Sequence, residues 1–301
     1  MAFRPDRVYT LADLEGWSAA RPTLAVLGDP VAHSLSPPMH RAALAQMRES
    51  HPEFADWAYV RFQVAADDLV AALPRFHAAG FRGLNLTIPH KVVALPACQA
   101  VEPEAAEMGA VNTLTAMADG LHGANTDGFG LQRAVETALG RGLAGANVWL
   151  VGAGGAARAV AVQALRQGAA RLWIANRSRP RLDELLGLMQ PLAGETDLRG
   201  FLLAEAPWSA LEAPLVVNVT PSGLNPTDVP PLPPADLAAG AAIYDSTYGP
   251  PNALARAAQA AGLPYADGLA MLVWQGWASL QRWTGQKPDA AAMFGALRDG
   301  A

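Results

Sequence analysis

Short apolar runs alternate with stretches of helical period along nearly the whole chain. "TLAVLGD" at 23–29 is an unbroken apolar run closed by Gly-Asp, the pattern of a strand buried on both faces. It leads into "SPPMHRAALAQM", where Ser36 is placed to cap a helix that Pro37 opens. "WAYVRFQV" at 57–64 predicts a second strand. "DDLVAALPRFHAAG" at 67–80 predicts a helix stopped at Gly80, and "RGLNLTI" at 82–88 a third strand. "GAVNTLTAM" and "GLHGANT" meet through Ala118-Asp119-Gly120, which predicts a hairpin with Asp-Gly at its turn. A helical period then runs from Asp127 to Leu139.

The second half repeats the alternation more regularly. "ANVWLVGAGGAARAVAVQALRQG" reads as strand, glycine turn and helix. "RLWIANRS" with "RPRLDELLGLM" reads as strand and helix. "APLVVNVTPSG" and "AAIYDSTYGPP" are further strands ending in turns, and "ALARAAQAAG" is a helix. Such an alternation predicts α/β architecture with parallel sheets covered on both faces. The Pro-rich stretch at 225–236 reads as a loop. The apolar helix at 267–283 is longer than the second unit needs, so it is expected to return to the first. Two domains follow: an N-terminal α/β domain of 1–126 plus 268–301, and a doubly wound domain of 127–267. No internal repeat is present, and the first twenty residues receive no assignment.

Composition narrows the function classes. Hydrophobic residues make up 51% of 301 and charged residues 16%, as in a packed globular protein. The net charge is −5 and no Lys/Arg cluster is large enough to suggest a nucleic-acid or membrane surface, so neither is expected. Cys98 is the single cysteine, which excludes an internal disulfide. His33, His40, His77 and His90 lack metal-ligand spacing, so no metal is expected. The N-terminus has no apolar signal region, and no apolar run reaches about 18 residues. A cytoplasmic monomer or homodimer acting on a small molecule is the expectation.

"VGAGGAARA" at 151–159 follows a predicted strand and opens a predicted helix, the context a dinucleotide-binding turn requires. Gly152 permits the tight turn, Gly154 lets the backbone approach a pyrophosphate, and Gly155 and Ala157 keep the helix start close-packed. Ala153 and Ala156 complete the turn, and the helix N-terminal amides meet the phosphate charge. The next strand ends in "NRSRPR", from Asn176 through Arg177 and Ser178 to Arg181, with three arginines and no acid. A NAD site places a carboxylate there for the ribose 2′-hydroxyl. Arginines favour a 2′-phosphate instead, hence NADP.

The polar loops of the first half carry the remaining chemistry. Ser34 and Ser36 flank Leu35 at a helix start, suited to a small carboxylate or, for Ser36, to capping alone. Ser34 is taken as too far from the cap position to serve as one. Asn85, Thr87, Asn112, Thr126 and Asp127 lie at the ends of apolar strands, where open α/β sheets bind ligands. Lys91 follows "NLTIPH" and is one of only two lysines beside 20 arginines. A site needing a compact, titratable amine cannot substitute Arg, whose guanidinium stays charged.

Taken together and in order, "GDPVAHSLSPPMH", "NLTIPHK", "GAVNT", "GANTDG", "VGAGGAARA", "NRSRPR" and "DGLAMLVWQG" resemble the shikimate dehydrogenase family, from about Leu24 to Trp283. The resemblance implies NADP-linked reduction of 3-dehydroshikimate to shikimate in aromatic amino-acid biosynthesis. It places Ser34 and Ser36 on the substrate carboxylate. Asn85, Thr87, Asn112, Thr126, Asp127 and Gln275 fall on the ring substituents, and Tyr248 lines the site. Lys91 and Asp127 match the catalytic pair, with the working acid of the two left open. Ser246 and Gly268 fall at the nicotinamide end. Carbonyl reduction needs a proton for the developing alkoxide, which an ammonium both stabilises and supplies.

The chain departs from the family pattern at Arg41, where Asn is usual, at Val219 in "NVTPSG", and after Tyr248. These bear on pocket shape and the cofactor lip. Alternative readings are a quinate/shikimate dehydrogenase, another shikimate-like paralogue, or a non-catalytic NADP-binding sensor.

Overall fold

The computed structural model describes residues 4–17, 21–222 and 228–298. Its chain divides into two units, residues 1–126 with 273–301, and residues 127–272.

The first unit runs β1 (Val8–Tyr9), α1 (Leu11–Leu14), β2 (Thr23–Gly28), α2 (Ser36–Ser50), β3 (Ala58–Gln63), α3 (Ala66–Ala78), β4 (Phe81–Leu86), α4 (His90–Val93), β5 (Ala100–Val101), α5 (Pro103–Met108), β6 (Thr113–Met117) and β7 (Gly120–Ala124). Its seven-stranded sheet has the order β1-β3-β2-β4-β6-β7-β5. The strands from β1 to β4 are parallel, and β6 and β7 form the antiparallel hairpin, with Met117 opposite Gly120. All six residues of β2 are buried, as its unbroken apolar run requires. Phe62, Phe76 and Phe81 pack edge-to-face at 4.9–5.6 Å in the core, and burying each ring is worth about 2–3 kcal/mol.

The second unit runs α6 (Asp127–Leu139), β8 (Asn147–Val151), α7 (Gly155–Arg166), β9 (Arg171–Asn176), α8 (Arg179–Met189), β10 (Asp197–Leu202), β11 (Leu215–Asn218), β12 (Ala242–Asp245), α9 (Ala253–Ala260) and β13 (Tyr265–Ala266). Its six strands are all parallel, in the order β10-β9-β8-β11-β12-β13. Counted within the unit this is 3-2-1-4-5-6, the doubly wound order of a Rossmann domain. Trp149, Trp173 and Trp208 centre its core.

The chain then enters α10 (Leu269–Thr284), followed by α11 (Ala290–Arg298). The division between units falls inside α10 because its first turn is held by the second unit. The Met271 N–H donates to the Tyr244 hydroxyl at 3.1 Å. Farther along, α10 belongs to the first unit. The Trp283 indole occupies the space beside Gly83, where a Cβ would lie 2.2 Å from its Nε1.

Several local expectations change. β1, β5, β10 and β13 add strands that the apolar pattern did not reveal. Ser36 is the first residue of α2 rather than its cap; Leu35 holds the cap position, and Pro37 is the second residue. β4 stops at Leu86, leaving Thr87 and Ile88 in the loop. Of the Pro-rich stretch, residues 225–227 lie outside the described residues, and Pro234–Asp236 forms one turn of 3₁₀ helix.

Candidate active site

The first unit gathers its polar residues at the C-terminal ends of β2 and β4. Gly28 makes this possible: a Cβ there would lie 2.4 Å from the Thr87 methyl. The Thr87 N–H donates to Leu27 O at 2.9 Å and the Asp29 N–H to Ile88 O at 3.1 Å, so the two loops are stitched together. Ser34 is half-buried and Ser36 buried. The Ser34 hydroxyl oxygen accepts the Ser36 N–H at 3.3 Å. Ser34 therefore does serve the helix start, contrary to the expectation that distance would keep it from that role. Behind the loop, His40 is fully buried and stacked on Tyr59 at 4.1 Å. Its Nδ1 donates to Ser36 O at 2.8 Å, and burial depresses its pKa to about 4, which keeps the ring neutral.

Asn85, Asn112, Thr113, Thr126 and Ser279 form a buried polar network. The Asn85 Oδ1 accepts from the Tyr59 hydroxyl at 2.7 Å. Its Nδ2 donates to Asn112 O at 3.2 Å and to the Ser279 hydroxyl at 3.0 Å. Burial raises the Tyr59 pKa well above the ordinary phenol value, so the hydroxyl remains a donor. The Asn112 Oδ1 accepts the Thr126 N–H at 2.9 Å and the Thr113 hydroxyl at 2.8 Å. Its Nδ2 donates to Thr126 Oγ1 at 3.0 Å and faces Gln275 Oε1 at 3.4 Å.

Ser279 sits one turn beyond Gln275 on α10 and donates to its carbonyl at 2.9 Å. Tyr59, Thr113 and Ser279 escaped the sequence reading. The only signal for Ser279 is a small hydroxyl four residues after Gln275 in a predominantly apolar helix. The Asn85 amide is committed to protein partners on both sides, so its position suits support of the site better than contact with a ligand.

Lys91 is the second residue of α4 and half-buried. The backbone holds it from both sides: His90 N–H donates to Thr87 O at 2.8 Å and Val111 N–H to Lys91 O at 2.8 Å. Asp127 opens α6 in the second unit and is buried.

In the second unit, the turn after β8 has the shape its glycines predict. Gly152 has φ +121°, and a Cβ there would press on Val219 and Thr220 at 3.1–3.2 Å. Val219, one of the departures from the family pattern, therefore packs against this turn. Gly154 holds the cap position of α7 and is exposed, with nothing within 4 Å of where a Cβ would point. Ala153, Gly155 and Ala156 are half-buried beside it. The first amides of α7 have no intrahelical acceptor and are available to an anion.

At the end of β9, the Asn176 amide donates to Ser178 O at 2.8 Å and shapes the turn. Ser178 precedes α8 at its cap position. Arg177 and Arg181 are exposed, and among the described residues neither makes an ion pair. Arg179, between them, faces Asp183 and Glu205 at 3.9 and 3.8 Å. An open helix start and two uncommitted guanidiniums fit a dinucleotide bearing an extra phosphate.

At the ends of β11 and β12, buried Asp245 accepts from Asn218 Nδ2 at 3.0 Å, Thr247 N–H at 3.1 Å, Asn252 Nδ2 at 2.8 Å and the Tyr265 hydroxyl at 3.1 Å. This hub fixes the turn carrying Ser246 and Tyr248, and sequence reasoning did not single it out. Gly268 lies so close to Ser246 that a Cβ would fall 2.1 Å from the serine carbonyl oxygen. Burial, with Asp245 nearby, raises the Asp267 pKa; its Oδ1 accepts the Leu269 N–H at 3.1 Å. Tyr248 is 39% exposed.

Among the described residues no cluster of His, Cys, Asp and Glu is arranged to hold a metal ion. No helix among them is long and apolar enough to cross a membrane.

Residues 26–114 match the shikimate dehydrogenase substrate binding domain, and residues 268–298 the shikimate 5'-dehydrogenase C-terminal domain. The shikimate dehydrogenase (NADP(+)) of Geobacter metallireducens is 40% identical over 274 residues, covering 90% of this chain and 93% of that protein. The enzyme of the same name from Moorella thermoacetica is 41% identical over 280 residues, covering 92% of each. The crystal structure of shikimate 5-dehydrogenase from Thermus thermophilus in complex with NADP(H) and shikimate superposes with a TM-score of 0.81 at 36% identity. It covers 93% of this chain and 100% of that one. With relatives at this identity aligned along nine-tenths of its length, the chain belongs to the shikimate dehydrogenase family.

Proposed function

We infer that the protein catalyses the reversible NADPH-dependent reduction of 3-dehydroshikimate to shikimate. The observation that carries this reading is a coincidence of two sites in one chain. Ser34, Ser36, Asn85, Thr87, Lys91 and Asn112 all fall within the matched substrate binding domain, and a Rossmann turn followed by uncommitted Arg177 and Arg181 supplies the NADP site.

The first unit takes the substrate. The Ser34 and Ser36 hydroxyls hold the carboxylate at the start of α2, where the helix N-terminus adds favourable charge. Thr87, Asn112 and Gln275 meet the ring hydroxyls, while Asn85 and Thr126 hold Asn112 and its neighbours in place through the buried network. The Lys91 ammonium binds the carbonyl oxygen, stabilises the negative charge that develops there and donates the proton. Asp127 is the second member of the catalytic pair, and Tyr248 lines the site.

The second unit takes the cofactor. Gly152, Ala153, Gly154, Gly155 and Ala156 receive the pyrophosphate. Asn176, Arg177, Ser178 and Arg181 receive the phosphorylated ribose, and Ser246 and Gly268 the nicotinamide end. Bound NADPH supplies the hydride. The protein works on small molecules alone, as a cytoplasmic monomer or homodimer.

The test is shikimate-dependent reduction of NADP⁺ by the purified protein, run beside Lys91→Arg. Turnover by the wild type that is lost in the variant is the expected result. Absence of turnover in the wild type refutes the reading.

A further inference from the structure

Arg61, on β3, has no part in the roles above. Its Nε and Nη2 both donate to the carbonyl oxygen of Ser34, at 3.1 and 2.8 Å. Two donors from one planar guanidinium fix that carbonyl in direction as well as position. The contacted carbonyl belongs to the residue that bears the first hydroxyl and lies two residues before the second, and the Ser34 hydroxyl in turn accepts the Ser36 N–H.

The surroundings hold Arg61 in place. It sits opposite Val8 in the β1–β3 register, so a strand from the start of the chain flanks it. Arg41 on α2 donates to Asp6 Oδ1 at 2.8 Å. Burial lowers the Arg61 pKa, Arg41 lowers it further, and Asp6 acts in the opposite sense. Two cations and one carboxylate thus stand beside the serine loop. Asp6 and β1 both precede the matched substrate binding domain, which starts at residue 26. Arg41 itself stands where the family pattern has Asn.

We propose that Arg61 is a positioning residue for the carboxylate-binding loop, holding Ser34 and with it both serine hydroxyls in their receiving arrangement, with residues 4–9 completing the support. The inference rests on the carboxylate reading of Ser34 and Ser36. It differs from a merely structural role in its kinetic signature. A residue that only stabilises the sheet edge changes melting temperature and leaves substrate affinity alone. A residue that aims the loop changes the KM for shikimate and leaves the KM for NADP⁺ alone.

The experiment compares full-length wild type, Arg61→Gln and Arg61→Lys in steady-state shikimate oxidation, with melting temperature recorded for each. Arg61→Gln is expected to raise the KM for shikimate about tenfold or more, the scale of a lost charged hydrogen bond. Its kcat should stay within about threefold and its KM for NADP⁺ near wild type. Arg61→Lys keeps the charge but loses the two-pronged contact, and its KM for shikimate should fall between the other two.

An unchanged KM for shikimate in Arg61→Gln overturns the proposal, whatever happens to melting. A wild-type KM in Arg61→Lys beside a raised one in Arg61→Gln also overturns it, because charge alone is then sufficient. If Arg61→Gln does not fold, Arg61→Lys decides: a KM raised threefold or more supports the proposal, and a wild-type KM refutes it. Failure of the wild type to oxidise shikimate is a separate outcome that removes the carboxylate reading itself.

Discussion

Replacing Ser279 by Ala tests whether the buried network is a working part of the substrate site. Ser279 is fully buried, and its hydroxyl has four polar neighbours: Thr113 Oγ1 at 2.7 Å, Gln275 O at 2.9 Å, Asn85 Nδ2 at 3.0 Å and Thr126 Oγ1 at 3.2 Å. A hydroxyl has one proton and two acceptor sites, so three bonds are its limit. With the proton on Gln275 O, two of the other three neighbours donate to it.

Alanine removes these bonds, but the losses are unequal. The Gln275 carbonyl keeps the helical N–H of residue 279. The Thr113 hydroxyl keeps Asn112 Oδ1 as an acceptor at 2.8 Å. Asn85 Nδ2 keeps Asn112 O at 3.2 Å and Thr113 Oγ1 at 3.3 Å. Re-pairing thus leaves about one donor unsatisfied, which costs about 1–3 kcal/mol. Because the re-pairing draws on Asn112 and Thr113, the side chains that orient Asn112 shift as well, and the KM for shikimate should rise several-fold with little change in kcat.

Urea unfolding gives the stability change, read at constant m-value, and initial rates give the KM. A loss below about 0.5 kcal/mol together with a wild-type KM would refute the argument, because such values belong to surface substitutions.

Three further outcomes follow from the structure. Lys91→Arg should fold and bind shikimate yet lose kcat by about 10²-fold or more, the usual scale for a proton-transfer group; turnover within a few-fold of wild type would remove the proton-donor role. Arg177→Ala should weaken NADP⁺ by about 1.5–3 kcal/mol, or tenfold and upward in KM, while the KM for NAD⁺ barely moves. Equal losses for both cofactors would show that Arg177 does not read the 2′-phosphate. The third outcome concerns His40, whose folded pKa of about 4 lies below the ordinary 6.5. The unfolded chain then binds a proton that the folded chain refuses, so stability is lost as pH falls from about 6.5 to about 4, by at most about 3 kcal/mol. Unfolding free energies of wild type and His40→Gln between pH 7.5 and about 4 check this: the wild type should show the steeper acid loss, and parallel curves would contradict it.

Apolar pattern was enough to locate most strands of both units, because β2, β8, β11 and β12 are buried on both faces and read as unbroken apolar runs. It failed at the sheet edges. β10 is half-exposed and carries Asp197 and Arg199, and β1, β5 and β13 contribute only two residues each. A short or one-sided edge strand has no periodic signal to find.

The site divides in the same way. Lys91, the serine loop and the glycine turn depend on local spacing and stood out. Tyr59, Ser279 and Asp245 owe their importance to partners 26, 194 and 27 residues away, as in the bonds Tyr59–Asn85, Asn85–Ser279 and Asn218–Asp245. Spacing says nothing about such pairs. Ser36 shows the intermediate case. Its helix was legible, but the one-residue shift of the cap and the bond from its N–H to Ser34 depend on loop geometry that pattern does not encode.

The central claim is that this chain oxidises and forms shikimate with NADP as the redox partner. It is tested most directly by specificity constants measured on one preparation with shikimate and quinate, each with NADP⁺ and NAD⁺. The account predicts that shikimate with NADP⁺ exceeds every other combination by at least tenfold. In this reading the Ser34 and Ser36 hydroxyls receive the shikimate carboxylate, and Arg177 and Arg181, which make no ion pair among the described residues, receive the 2′-phosphate. Equal rates with NAD⁺, a preference for quinate, or no turnover with shikimate would contradict it.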